Sequence, residues 1–259
     1  SLSNLIAGKK QKFRGYYSGF GKKEKIIFKS LDIKMSENNI NPEVFSFFTE
    51  LSENNNRDWF EKNKIRFKSL ELEMKEFLLE VNNKLNDHDN IDKAKMFRIY
   101  RDVRFSKNKT PYKTHFGMAL HRQKPNLRGG YYIHIEPNNS FLGVGFWGPI
   151  PSDLFRIRKE LEFDSIELRK IINEKKIKEK WGPILGEDVK TSPKGFNLTH
   201  PNIDLIRKKQ YIFIKKLTNE EVISTKFHSM INIHFRAIRP FFNFMSAVLT
   251  SDLNGESVI

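Results

Sequence analysis

The segment Arg98-Ile99-Tyr100-Arg101-Asp102-Val103-Arg104-Phe105-Ser106-Lys107-Asn108-Lys109-Thr110-Pro111-Tyr112-Lys113 gathers three Arg, three Lys, one Asp and two Tyr around a proline-bearing turn. Guanidinium forks suit bidentate contact with phosphate or carboxylate. Arg98, Arg101 and Arg104, with Lys109, Tyr112 and Lys113, therefore read as a clamp for an anionic ligand. Asp102 stands between Arg101 and Arg104, where it can hold either one in a fixed rotamer or move a proton. In an extended segment side chains alternate between two faces. Phe97, Ile99, Val103 and Phe105, with Arg101 among them, fall on one side, and Arg98, Tyr100, Asp102 and Arg104 on the other. The apolar set anchors in a core and the polar set points into a cleft. The competing reading is a structural ion-pair network tying a strand end to a helix, and such networks also perturb pKa values.

A second constellation lies downstream. His134 and Glu136 are two apart, hence on one face of a strand, and can serve as base and orienter or as acid and base. His115 and His121 could add metal ligands, but the spacings match no established ligand pattern, and no metal is assigned. The strands around them repeat one design. Phe116, Met118 and Leu120 oppose His115, Gly117, Ala119 and His121; Tyr131, Ile133 and Ile135 oppose Tyr132, His134 and Glu136; Leu142, Val144 and Phe146 oppose Phe141, Gly143, Gly145 and Trp147. Glycine inside a strand often marks the close approach of a ligand or another backbone. The second faces are expected to line one concave floor, with Tyr132 and Trp147 contacting ligand and segment 98–113 as its wall. The alternative is the ordinary polar solvent face of an antiparallel sheet. No Walker loop, Rossmann fingerprint, His-Glu-x-x-His or nucleophile elbow is present, and nothing near Ser106 clearly activates it.

The pattern Arg98-x-x-Arg101-Asp102-x-Arg104-Phe105-x-x-Asn108-Lys109-x-x-Tyr112 resembles the signature of a bacterial family of conserved hypothetical proteins, a domain of unknown function. That family accepts Asp or Asn where Asn108 stands. Asn54-Asn55-Asn56-Arg57-Asp58-Trp59-Phe60 upstream is similar to its Asn-Asn-x-Arg-x-Trp-Phe. Gly130-Tyr131-Tyr132-Ile133-His134-Ile135, Trp147-Gly148-Pro149, Ile157-Arg158, Pro193-Lys194-Gly195-Phe196 and His200-Pro201 follow in order. The resemblance covers about Phe45 to Phe244 and implies a single α+β domain, with no established activity.

Elements follow from periodicity. Asn41-Pro42 starts a helix to about Leu51, and Asn56 caps a second from Arg57 to about Asn86, with a break expected near Ile65. Strands are predicted at 95–105, 114–122, 131–137 and 140–147, with Asn138-Asn139 as a hairpin turn. Helices are predicted at 152–162 and 164–181, with Ser152 and Asp164 as N-caps. A strand at 211–216 and helices over 219–249, interrupted at Pro240, complete the chain. Strands in a run between helices imply an α+β fold: a central, largely antiparallel sheet flanked by N-terminal and C-terminal helices, in one domain over 35–250. Residues 251–259 form a tail, and residues 1–34 a basic extension that ends just before Met35, the expected native start.

The 259 residues carry a net charge of +15, of which residues 1–34 supply +7. Basicity is thus partly a property of that extension, which weakens a nucleic-acid reading. Absence of cysteine excludes disulfide scaffolds, thiolate metal sites and cysteine nucleophiles, and fits a cytoplasmic setting. No apolar run reaches membrane-spanning length, so no membrane partner is expected. Three functions stay open: a cleft that binds, or acts on, a phosphorylated or other anionic small ligand; a nucleic-acid-binding module; and an interaction scaffold whose signature is an ion-pair network.

Overall fold

Asn41 and Asn56 act where the sequence places them, at helix starts. The computed structural model describes residues 40–259; the reading of residues 1–34 lies outside these. Asn41 Oδ1 accepts the Glu43 N–H at 3.0 Å ahead of α1 (Glu43–Glu53). Asn56 Oδ1 accepts the Trp59 N–H at 2.9 Å ahead of α2 (Arg57–Leu85). Each satisfies a first-turn donor that has no partner within its helix. α2 buries Phe60, Phe67, Leu70, Met74, Phe77, Leu78, Val81 and Leu85 along one stripe. The break expected near Ile65 is absent. Ile65 simply lies out of phase with the stripe and is 88% exposed.

Five strands form one antiparallel sheet in the order β1 (Ile91–Met96), β2 (Phe116–Arg122), β3 (Gly130–Ile135), β4 (Phe141–Phe146) and β5 (Tyr211–Lys216). Between β4 and β5 lie α3 (Pro151–Phe163), α4 (Ile166–Asn173), α5 (Lys175–Trp181) and α6 (Ile203–Ile206). After β5 come α7 (Asn219–Ile223), α8 (Phe227–Ala237) and α9 (Arg239–Thr250), so the interruption falls at Ile238, two residues before Pro240. The expected helix over 164–181 is two helices, because Glu174 adopts an extended ψ of 132°. Asp164 precedes the formal N-cap, Ser165, but its Oδ1 takes the Ile166 N–H at 2.7 Å. Ser152 is not a cap: α3 starts at Pro151, whose fixed φ suits the first helical position.

The strand expected over 95–105 ends at Met96. Phe97 N–H still donates to Gly117 O at 2.8 Å, and Tyr100 bridges Tyr112, with Arg101 N–H donating to Pro111 O at 2.9 Å. The reciprocal bond would need an N–H at residue 111, which proline lacks, and the ladder stops. Two-fold alternation stops with it. Ile99 is buried, whereas Phe97 is partly exposed and Phe105 is 97% exposed. Phe105 is therefore no anchor.

The two faces of the sheet differ. On the first, Phe116 meets Phe48 and Phe67, Tyr131 meets Phe235 and Phe242, and Phe213 meets Phe241, all from helices. A buried polar node fastens the same side. Asp89 accepts from Arg122 Nε at 2.8 Å and Tyr131 Oη at 2.5 Å, and pairs with Arg239 at 2.7 Å. On the second face, the ring contacts among the described residues are made by the sheet and its immediate flanks with one another.

Candidate functional site

Register decides what meets on this second face. Gly117 pairs with His134, which pairs with Phe141, which pairs with Lys216; Ala119, Tyr132, Gly143 and Ile214 form the next row. Continuing the β2–β3 register past Phe116 and Ile135 sets His115 opposite Glu136. Cross-strand neighbours on one face lie within side-chain contact, so the floor assembles His115, His134, Glu136 and Tyr132 side by side.

His134 is the hub. Its Nδ1 lies 3.2 Å from Tyr132 Oη and its Nε2 lies 3.1 Å from Glu136 Oε2. Its ring stacks on Phe141 at 4.6 Å and 15°, and faces the His115 ring at 4.1 Å. Both Glu136 oxygens are held: Thr114 Oγ1 donates to Oε1 at 2.8 Å and Asn139 Nδ2 to Oε2 at 2.7 Å. The hairpin that carries Asn139 turns at Asn138, with φ 58°, a left-handed conformation that asparagine tolerates. Ser140 Oγ fixes the same corner by accepting from Glu136 N–H and donating to Glu136 O.

Two glycines make room for the aromatic floor. A Cβ at Gly117 would stand 2.6 Å from Tyr132 Oη, and one at Gly143 would stand 2.4 Å from the Trp147 ring. Tyr132 therefore lies across β2 and Trp147 folds back over β4. Phe97 meets the Tyr132 ring at 6.3 Å, and Lys95 and Lys113 flank the Phe97 ring at 5.3 and 5.5 Å. Lys216 borders the opposite side, over Phe141 and 3.2 Å from Asn139 Oδ1.

Electrostatics fix the protonation pattern. Burial, with His134 beside it, lowers the His115 pKa to about 4 against a smaller opposing effect of Glu136. Burial also lowers His134, outweighing the Glu136 hydrogen bond that works to raise it. Burial works to raise Glu136, but the hydrogen bonds from Asn139, His134 and Thr114 prevail and its pKa falls. Burial, then Glu136, raises Tyr132. Near neutral pH this gives two neutral imidazoles, a carboxylate and a protonated phenol. A carboxylate only accepts, so His134 carries its proton on Nε2 and Nδ1 accepts from Tyr132. The phenol, imidazole and carboxylate form one directional relay.

The cationic segment is organised differently. Arg101 Nη1 donates to Thr110 O and Oγ1, Lys109 Nζ to Val103 O at 2.9 Å, and Lys113 Nζ to Arg98 O at 3.0 Å. Arg104 grips Asp102 at 2.6 and 3.0 Å, with both side chains largely exposed. The Arg104 guanidinium holds the Asp102 carboxyl below its usual range. Tyr112 is buried, stacked on Phe60 at 4.1 Å, with its backbone held by the Asn55 side chain. Arg101, Asp102, Arg104, Lys109 and Tyr112 thus close and seat their own loop. Arg98 is exposed, and the segment borders the floor through Phe97, Arg98 and Lys113. His121 shares the face but not the cluster. Thr114 and Asn139, which the motifs alone do not single out, are the groups that orient Glu136.

A family model matches residues 43–244, described as conserved hypothetical protein (DUF2461). The chain belongs to that family. The DUF2461 match starts at α1 and ends within α9, so it takes in the whole floor and the cationic loop. No curated protein and no solved structure matches the chain.

Proposed function

We propose that the second face of the sheet binds a small phosphorylated or carboxylated ligand, and that Tyr132 and His134, oriented by Glu136, exchange a proton with it. The observation that carries this reading is the Tyr132–His134–Glu136 chain, at 3.2 and 3.1 Å. A base within hydrogen-bond reach of a hydroxyl and held by a carboxylate has the geometry of acid–base catalysis. Charge supports the anion. Among the described residues Lys95, Lys113 and Lys216 make no ion pair, although all three border the floor. Burial, then Arg98 and Lys95, lowers the Lys113 pKa; a bound anion relieves that crowding. The anion contacts in this reading come from Lys95, Lys113, Lys216 and Arg98, with Tyr132 and Trp147 packing against the ligand. The Asp102–Arg104 pair stands apart from the chemistry.

The test is thermal shift in the presence of a chelator, against nucleotides, sugar phosphates and small carboxylates. Ligand bound to the native state raises Tm by mass action. The expected result is a rise with a small anion that Lys113→Ala and Lys216→Ala diminish, and turnover of that compound that Tyr132→Phe abolishes. No shift with any compound, or a shift that both lysine variants keep, contradicts the reading. A second reading, nucleic-acid binding by the loop, is favoured by Phe105, fully presented between Arg104 and Lys107 where it can stack on a base. Oligonucleotide binding that falls steeply with salt and is lost in Phe105→Ala marks that outcome.

A further inference from the structure

We propose that His115, His134 and Glu136 form a binding site for one divalent transition-metal ion of the zinc class. It shares the floor with the proposed anion site but does not depend on it, since the ion alone is the probe.

The donors are already gathered. One ligand atom from each residue lies within 4.8 Å of the others. Two ligands about 2.0–2.1 Å from an ion at a tetrahedral angle stand about 3.4 Å apart. His134 Nε2 and Glu136 Oε2, 3.1 Å apart, are close to that separation. The widest pair needs to close by at most about 1.4 Å, which rotation of the half-buried His115 side chain can supply. Two imidazoles and a carboxylate suit zinc, cobalt and iron(II), whereas calcium and magnesium prefer oxygen alone.

The surroundings match what metal ligands require. Ligating histidines use their second nitrogen to bond a fixed partner, and ligating carboxylates are themselves hydrogen-bonded. Tyr132 Oη stands at His134 Nδ1, and Thr114 and Asn139 hold the two Glu136 oxygens. Phe141 stacks on the His134 ring at 4.6 Å and holds its orientation. When the ion binds, His134 changes tautomer: Nε2 gives its proton to solvent, Nδ1 takes one up from solvent, and the new Nδ1–H donates to Tyr132 Oη, whose own hydroxyl hydrogen turns away. Three protein ligands leave a fourth position open, as in catalytic rather than structural zinc sites.

The test uses the full chain, stripped with a chelator and dialysed, with no anion ligand added. Zn2+ is titrated by calorimetry and Co2+ by visible absorption. The expected result is one Zn2+ per chain and cobalt bands of a four- or five-coordinate nitrogen–oxygen site. Because losing an outer partner of a ligand costs about 10–100-fold in affinity, loss of a ligand in His115→Ala or His134→Ala costs about 100-fold or more, and Thr114→Val about tenfold. Circular dichroism without metal reports folding. His115 precedes the first residue of β2, so His115→Ala keeps the test decisive even if His134→Ala fails to fold. Absence of stoichiometric binding, or undiminished affinity in folded His115→Ala, overturns the proposal. A chain that takes zinc but no anion, or the reverse, separates this inference from the ligand reading.

Discussion

Gly117→Ala should damage the candidate site while sparing the fold. The added Cβ would stand 2.6 Å from Tyr132 Oη, 3.4 Å from Tyr132 Cζ and 3.5 Å from Phe97 Cδ2. Only the first is a clash, and an ordinary contact requires the hydroxyl to withdraw by about 0.8 Å. The Tyr132–His134 hydrogen bond, at 3.2 Å, is already near its upper limit and does not survive that withdrawal. A lost hydrogen bond costs about 0.5–1.5 kcal/mol. Replacing glycine where φ is ordinary returns about 0.4–1 kcal/mol by restricting the unfolded chain. The two nearly cancel, so urea unfolding should change by less than about 1 kcal/mol. Imidazole 1H–15N correlation spectra should show the His134 Nδ1 environment altered, with Tyr132→Phe producing the same change. A stability loss above about 3 kcal/mol, the range of core disruption, would refute the view of this face as a site rather than packed interior. So would an unchanged His134 spectrum.

Three further expectations follow from the structure. Asp89→Ala removes the carboxylate shared by Arg122, Tyr131 and Arg239; it leaves a fully buried guanidinium uncompensated and should lower stability by about 3–5 kcal/mol in urea unfolding. Arg104→Ala breaks only an exposed pair and should leave the urea unfolding midpoint essentially unchanged; a large loss would restore the signature as a fold-defining network. The Arg66 hydrogen bond holds Glu50 below its usual pKa. A depressed carboxylate stabilises the fold above its unfolded pKa of about 4.3 and loses that contribution as pH falls through the folded value. The acid limb of the stability curve should therefore be shallower in Glu50→Gln, as measured by thermal unfolding between neutral and acid pH.

Much of the fold was legible because its elements are strongly periodic. The α2 stripe and the aliphatic alternation in Phe116–Leu120, Tyr131–Ile135 and Leu142–Phe146 each have one face fully buried, which leaves little choice of register. His134 beside Glu136 follows from the two-residue period alone. That His115 reaches them does not, because the β2–β3 connection is no tight turn and fixes no register by itself. The internal bonding of the cationic loop is hidden from the sequence for a chemical reason. Arg101 and Lys109 find partners in the carbonyls of their own loop, and no spacing rule distinguishes that from a ligand clamp. Asp89 was invisible for another. It sits in the polar run Asn86-Asp87-His88-Asp89-Asn90, which reads as a solvated turn, yet its partners come from positions 122, 131 and 239.

In the proposed reading, ligand chemistry belongs to the sheet floor and not to the arginine signature. Side-chain-resolved NMR titration with inorganic phosphate and small phosphorylated or carboxylated compounds tests it most directly. The expected result is shifts concentrated on His115, Tyr132, His134 and Trp147, retained in Arg104→Ala and lost in Lys113→Ala. Shifts confined to the loop from Arg98 to Tyr112, abolished by Arg104→Ala, would contradict it.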